Sequence, residues 1–150
     1  MNKILLIIVL LLFGCESNPI EPQIFEEYNF EIDTRLVLDE NGYYHMNMSE
    51  YGGNSEQSLV RFTAITNNPY TPQFVWWDSD GYWTYDYMNQ EYQVPVINNS
   101  SYTDDIGEAH SMFGPHMSMV GDTILVTCGY TDEWNGDRNY SKLIYVVLDE

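Results

Sequence analysis

The chain has little positive charge. Its 150 residues contain five Lys and Arg against 23 Asp and Glu, which gives a formal net charge of −18 at pH 7. Contacts to nucleic-acid phosphates need clustered basic side chains, so nucleic acid is excluded as a partner class. An anionic membrane surface would also repel the chain. This acidity is typical of a solvated surface, and it suits divalent cations as well.

Cysteine and long apolar runs are scarce too. Cys15 and Cys128 are the two cysteines, too few for a disulfide scaffold. The one long unbroken apolar run covers residues 4–13, whereas a transmembrane helix needs about 20 residues. A chain of this length predicts one domain, with a core that needs neither metal nor disulfide.

The familiar catalytic motifs are missing from the sequence. It contains no Gly-x-Ser-x-Gly, His-Glu-x-x-His, glycine-rich phosphate loop or Cys-x-x-Cys. Cys128 lies in a predicted strand with no basic neighbour to activate its thiol, so we do not expect it to be a nucleophile. We therefore expect a protein that is not an enzyme.

What the sequence does contain begins with an export pattern. A short positive start precedes the apolar residues 4–13, and the small residue Gly14 precedes Cys15. Leu12, Gly14 and Cys15 resemble the lipobox of bacterial lipoproteins, from which Phe13 departs. The resemblance implies that Cys15 is lipidated after cleavage, and several acyl chains give stable membrane anchoring. An ordinary secretory signal, with Cys15 incidental, is the alternative.

The residues after this cysteine predict a spacer and a location. Residues 15–27 contain two prolines and four glutamates, a composition that predicts an extended acidic tether. Glu16 directly after the cysteine resembles the signal for an outer-membrane destination. We therefore predict a signal peptide over residues 1–14, a tether over residues 15–27 and a folded domain over residues 28–150, anchored in the bacterial cell envelope at the outer membrane.

The rest of the chain alternates short strand-like segments with turn signals. Asn41-Gly42 is the strongest hairpin signal, because both residues accept positive φ. Segments with strand patterns lie at residues 28–39, 43–48, 59–66, 74–77, 82–88, 92–97, 123–130 and 143–148. Their spacing predicts an all-β sandwich of about 7–9 antiparallel strands. Residues 98–120 are the least regular and predict a long loop.

Two segments resemble immunoglobulin-like domains. Residues 122–128 (Asp-Thr-Ile-Leu-Val-Thr-Cys) resemble the start of strand F, and residues 74–76 (Phe-Val-Trp) resemble strand C with its core tryptophan. Phe62 stands where such domains place their first cysteine. The resemblance implies that Phe62 packs on Trp76 and a reduced Cys128, with no disulfide bridge. Fibronectin-like and other bacterial sandwich modules fit the strand pattern nearly as well.

Aromatic side chains are dense between residues 76 and 92. Trp83, Tyr85 and Tyr87 alternate along one predicted strand, so they share a face. On an exposed face, such rings suit sugar stacking or a protein interface, whereas on a covered face they are core. We take Trp83, Tyr85 and Tyr87 as candidate ligand-binding residues, with core packing as the alternative.

Two clusters have the composition of metal sites. Asp78 and Asp80 lie in an Asp-Ser-Asp-Gly turn that resembles half a calcium loop, but the glycine comes too early for an EF-hand. These two residues are the calcium candidates, with a plain hairpin turn as the favoured alternative. His110 and His116, with Glu108 and nearby methionines, have the ligands of a copper site. Their spacing matches no compact helix or hairpin pair, which favours loop histidines instead.

These features together predict a lipid-anchored, non-enzymatic module of the cell envelope. It would present a β-sandwich to a protein partner, and the C-terminal residues 121–149 resemble uncharacterised bacterial lipoproteins. The alternative is a carbohydrate-binding module that uses the exposed aromatic side chains, assisted by calcium. No other cofactor is expected.

Overall fold

The computed structural model describes residues 29–52, 56–70 and 72–150. The predicted signal peptide, the tether and Cys15 lie outside the described residues, so these three stay predictions. Of the described residues, 59% lie in strands and 9% in helices, which confirms the predicted all-β class. In this part of the chain, no helix is long and apolar enough to cross a membrane.

The described residues form eleven strands, one short α-helix and two 3-10 helices. The strands are β1 (Glu31–Thr34), β2 (Val37–Leu38), β3 (Tyr43–Asn47), β4 (Val60–Ile65), β5 (Phe74–Ser79), β6 (Tyr82–Tyr87), β7 (Gln90–Pro95), β8 (Asn99–Tyr102), β9 (Glu108–Phe113), β10 (Thr123–Asp132) and β11 (Arg138–Asp149). The helix α1 is Met48–Gly52, and the 3-10 helices are Met117–Met119 and Glu133–Asn135.

The strands are arranged in two sheets and a separate hairpin. One sheet has the order β1-β4-β9, and the other has the order β2-β3-β11-β10-β5-β8. The pairs are antiparallel, as predicted, except that β3 and β11 run parallel, from Tyr43 beside Tyr145 to Asn47 beside Asp149. The hairpin of β6 and β7 pairs with neither sheet.

The two sheets pack against each other around one apolar core. The ring centroid of Phe62 in β4 lies 6.2 Å from that of Trp77 in β5, and 5.3 Å from that of Phe113 in β9. Cys128 in β10 is the strand neighbour of Trp77 and is fully buried as a free thiol. Burial raises the pKa of the Cys128 thiol, so it stays protonated.

The core tryptophan is Trp77, and the prediction that Trp76 takes this place is wrong by one residue. Val75 and Trp77 are buried, whereas Phe74 and Trp76 on the other face of β5 are 47% and 38% exposed. Trp76 lies against Gly129 of β10, where a Cβ atom would come within 2.6 Å of the indole. An antiparallel strand needs only one covered face, so two adjacent tryptophans do not reveal which one points inward.

The first predicted strand is two strands in different sheets. β1 joins the three-stranded sheet, and β2 joins the six-stranded sheet. Between them the chain bends at Arg35, and Leu36 turns into the core with 6% of its surface exposed. A strand that crosses from one sheet to the other in this way forms a corner of the packed sheets.

The prediction of a long loop over residues 98–120 is wrong for ten of these residues, because Asn99–Tyr102 form β8 and Glu108–Phe113 form β9. Ser111 of β9 faces the interior with 4% exposure, and its hydroxyl donates to Asn99 Oδ1 at 2.7 Å. An inward serine interrupts the apolar alternation that identifies a strand. Its buried hydroxyl is tolerated because the hydrogen bond satisfies it.

Candidate functional site

The β6–β7 hairpin continues β5 and β8 beyond the six-stranded sheet. Val96 N donates to Gly81 O at 3.0 Å where the two pairs of strands meet. At the far end, Met88 and Asn89 connect the strands with φ angles of 51° and 63°. Two consecutive positive φ angles define a type I′ turn, whose twist matches that of paired strands. This turn sets the register, in which Tyr87 lies opposite Gln90.

One face of the hairpin carries a row of aromatic rings formed by Trp83, Tyr85, Tyr92 and Tyr87, which we call the aromatic row. Successive ring centroids lie 5.6, 5.4 and 6.4 Å apart in that order. The three tyrosines Tyr85, Tyr87 and Tyr92 are 44%, 55% and 39% exposed. The three tyrosines of the aromatic row therefore form a contiguous surface feature outside the core.

Trp83 and His116 hold the base of the aromatic row. Trp83 is half-buried against the core, and the His116 ring stacks on it with centroids 5.0 Å apart. His116 Nδ1 accepts from Ser118 N at 3.1 Å, so Nε2 carries the proton and points at the Glu56 carboxylate, 3.5 Å away. The buried Trp83 Nε1 has no acceptor among the described residues. Trp83 thus anchors the hairpin, while the tyrosines are presented to solvent.

The opposite face of the hairpin is acidic. Asp86 of β6 and Glu91 of β7 lie directly opposite each other, and both are exposed. Like charges at opposed positions destabilise an antiparallel pair. Tyr82 on this face is 54% exposed. The hairpin therefore has one aromatic and one acidic face.

The structure places Trp83, Tyr85 and Tyr87 on one face, as the alternation predicts. Of the two predicted alternatives, core packing and surface exposure, Trp83 is closer to the first because it is half-buried against the core. Tyr85 and Tyr87 follow the second, because both are exposed. That these residues bind a ligand stays a prediction. The ligand-binding residues predicted from the sequence included neither Tyr92 nor His116, which was considered only as a metal ligand. Tyr92 could have been found by pairing the residues on either side of the Met88-Asn89 turn, which places Tyr92 opposite Tyr85. No local signal links His116 to the hairpin.

The two aspartates proposed for calcium have partners of their own. Asp80 Oδ1 accepts from Leu125 N at 2.8 Å, and this bond ties the turn after β5 to β10. Asp78 Oδ1 accepts from Ser79 N at 2.8 Å. Across residues 29–52, 56–70 and 72–150, neither belongs to a group of three His, Cys, Asp or Glu side chains close enough for one ion. A calcium site there stays a prediction.

Comparison with known proteins adds no relative from which a role can be transferred. No protein-family model, curated protein or solved structure matches this chain. The role of the hairpin has to follow from the side chains that the fold places on it.

Proposed function

We propose that this protein is a lipid-anchored, non-enzymatic module of the bacterial cell envelope that binds a protein partner through the aromatic row. The observation that carries the proposal is the exposed row on a hairpin that pairs with neither sheet. Tyr, Trp and Met are enriched at protein interfaces, and Met88 at the tip of the hairpin is 77% exposed. Contiguous apolar patches of this kind mark interaction sites.

Several features of the hairpin are unfavourable in the free protein. An isolated two-stranded hairpin is only marginally stable in water. Met88 adopts a left-handed conformation that costs an ordinary L-residue about 1–2 kcal/mol, and Asp86 repels Glu91 across the strands. Unfavourable local features persist where they are part of function. A partner with basic side chains would relieve the repulsion, and its cations would also be attracted to the tyrosine rings.

The carbohydrate alternative requires open ring faces. In the aromatic row, Trp83 stacks on His116 and Tyr85 stacks on Tyr92, so one face of each ring is covered by its neighbour. Each of these four rings therefore has at most one face left open for a ligand. Protein side chains can pack against ring edges, whereas a sugar ring needs a flat open face. This geometry favours a protein partner over a glycan.

We also propose that the sandwich is immunoglobulin-like. The order β1-β4-β9 corresponds to strands A, B and E of that fold, and β11-β10-β5 corresponds to G, F and C. In this assignment Phe62 lies on strand B, Trp77 on strand C and Cys128 on strand F. Because Phe62 stands in place of the first cysteine, Cys128 is a free thiol, and Phe62 of strand B packs on Trp77 of strand C. The strand order and this contact support the assignment.

The proposed location at the membrane rests on the lipobox resemblance at Cys15. The intact mass of the native protein from the membrane fraction tests it. The expected mass corresponds to a chain that begins at Cys15 and carries acyl groups, and Cys15→Ser should release the protein from the membrane. A wild-type protein that is soluble without detergent and unacylated would contradict the anchor and leave a freely secreted binder.

Site-specific photo-crosslinking in living cells tests the proposed interface. A photoreactive phenylalanine analogue replaces Tyr87 on the aromatic row or, as the matched control, Tyr82 on the opposite face, because the two side chains are 55% and 54% exposed. We expect a discrete protein adduct from position 87 and a much weaker one from position 82. Equal adducts from both positions, or none from position 87, would contradict the proposal.

A glycan array separates the two binding classes. The carbohydrate alternative predicts glycan binding that Tyr85→Ala abolishes in a folded protein. The protein-partner proposal predicts no specific glycan signal and loss of the crosslink in the same variant.

A further inference from the structure

The outer face of the three-stranded sheet carries a second feature that is separate from the hairpin. It is a groove of about 580 Å³. Its charged and polar lining includes Asp33, Arg35, Arg61, Thr63, Glu108 and His110. A groove of this volume lies within the usual range for ligand sites.

Glu108 and His110 belong to a cluster that Asp104 completes. One ligand atom from each of these three side chains lies within 4.8 Å of the others. His110 Nε2 is 3.9 Å from Glu108 Oε2, which is too long for a hydrogen bond. Two ligands of one ion, each bound at about 2.0–2.2 Å, lie at separations of about 3–4 Å, so small side-chain adjustments would bring all three onto one metal.

The three side chains are oriented by atoms that a metal would not use. Glu108 and His110 are two residues apart on β9 and therefore point to the same side. His110 Nδ1 lies 3.1 Å from the hydroxyl of Thr63. Thr63 is paired with His110 on the adjacent strand β4 and is 8% exposed. With Nδ1 as the donor in this bond, Nε2 keeps its lone pair for a metal. A hydrogen bond from the ring nitrogen that does not bind the metal is what orients metal-bound histidines.

Asp104 is positioned by the turn before β9. Its Oδ1 accepts from Ile106 N and Glu108 N, each at 3.0 Å, and this leaves Oδ2 for another partner. The copper set suggested by the sequence paired His110 with His116 instead. His116 stacks on Trp83 and is not part of this group.

We propose that Asp104, Glu108 and His110 bind one divalent transition-metal ion of the Zn²⁺ type, with its remaining coordination open to water or to a ligand in the groove. One imidazole and two carboxylates form a nitrogen–oxygen set that suits Zn²⁺. Calcium takes six to eight oxygen ligands, so this set disfavours it. The net charge of −18 raises the local concentration of cations around the site.

Calorimetric titration of the full-length protein with Zn²⁺ tests the proposal. We expect one saturable site per chain that persists in an excess of Ca²⁺. His110→Ala should weaken binding by at least about 10-fold. Glu108→Gln keeps the side-chain shape, and Asp104→Asn keeps the acceptor for Ile106 N and Glu108 N, so both should weaken binding without unfolding the protein.

Two matched controls use the other histidines. His45 lies beside two carboxylates and His116 beside one, but neither histidine belongs to the cluster. His45→Ala and His116→Ala should leave the Zn²⁺ affinity unchanged. Thr63→Val removes the hydroxyl that holds His110 Nδ1 and should weaken binding about 10-fold.

Three results would each overturn the proposal. They are an absence of saturable Zn²⁺ uptake, binding that His110→Ala and Glu108→Gln leave unchanged, and binding that an excess of Ca²⁺ abolishes.

Histidine NMR signals give an independent measurement. Zn²⁺ should perturb Nε2 of His110 before it affects His45 or His116, and a reversed order would also contradict the site.

Discussion

β5 and β6 are consecutive six-residue strands that differ sharply in environment. Both are rich in aromatic side chains, and each contains a pair of adjacent aromatic residues. In β5, Val75 and Trp77 are 0% and 2% exposed, whereas in β6 Tyr85 and Tyr87 are 44% and 55% exposed. β5 has β10 and β8 on its two sides and lies against the three-stranded sheet, whereas β6 pairs only with β7. The same pattern thus builds the core in one strand and a surface in the next.

The difference shows what alternation does and does not determine. It assigns side chains to one face or the other, because successive residues of a strand point in opposite directions. Whether a face is buried depends on what another part of the chain packs against it. The comparison therefore predicts that β5 carries stability and that β6 carries binding.

The largest expected effect comes from Trp77→Ala. The substitution removes a fully buried ring that packs on Phe62, and a cavity of that kind costs about 3–5 kcal/mol of unfolding free energy. Urea denaturation measures the loss. Trp76→Ala, on the exposed face of the same strand, is the matched control and should cost clearly less. Equal losses would mean that the two faces of β5 do not differ as described.

Trp83→Ala tests the boundary between the two regions. Because the ring is half-buried against the core and stacked on His116, we expect a loss of about 1–2 kcal/mol together with loss of the partner crosslink. Tyr87→Ala should change stability by no more than about 0.5 kcal/mol and still abolish binding of the partner that the crosslink at position 87 identifies. A Tyr87→Ala variant as unstable as Trp83→Ala would show that the whole row is structural.

Met88→Gly, at the tip of the hairpin, should produce a small stability change of opposite sign. Glycine adopts the observed φ of 51° without the clash that a side chain meets, so we expect stability to rise by about 0.5–1 kcal/mol. The crosslink from position 87 should weaken, because the exposed apolar tip is lost. Asn89→Gly is the control, since Asn tolerates positive φ and the change should be near zero. A destabilised Met88→Gly would contradict the strain at the turn.

The smallest expected effect is a pH dependence in the six-stranded sheet. Hydrogen bonds to Asp149 and then to Asp39 raise the pKa of His45 above its usual 6.5. The backbone N–H of Tyr43 is the main cause of the lowered pKa of Asp39, which therefore stays ionised in this range. The raised pKa means that protonated His45 stabilises the folded state. This stabilisation is complete at pH values below the pKa of His45 in the unfolded chain, and it is lost as pH rises through the pKa of His45 in the folded chain.

Melting temperatures of the wild type and of His45→Gln across this pH window measure the effect. The wild type should lose an advantage over the variant as pH rises above about 6.5. A constant difference between the two would show that the charge of His45 does not contribute.

Much of the fold and part of the candidate site follow from local sequence. The Asn41-Gly42 turn and the alternation of Trp83, Tyr85 and Tyr87 are local features, and the structure has both. β9 was missed because the inward Ser111 relies on the hydrogen bond that it donates to Asn99 on a different strand. The sequence did not reveal which of the two adjacent tryptophans points into the core, because both are equally hydrophobic. Only packing against the opposite sheet distinguishes Trp77 from Trp76.

The all-β class, the acidity and the shared face of the hairpin aromatics follow from the sequence alone, because these depend on composition and on the two-residue period of a strand. The packing of distant segments is what leaves the tyrosines of this face exposed, stacks His116 on Trp83 and brings Asp104, Glu108 and His110 together. These outcomes join residues from separate parts of the chain, and no local pattern specifies which parts will pack together.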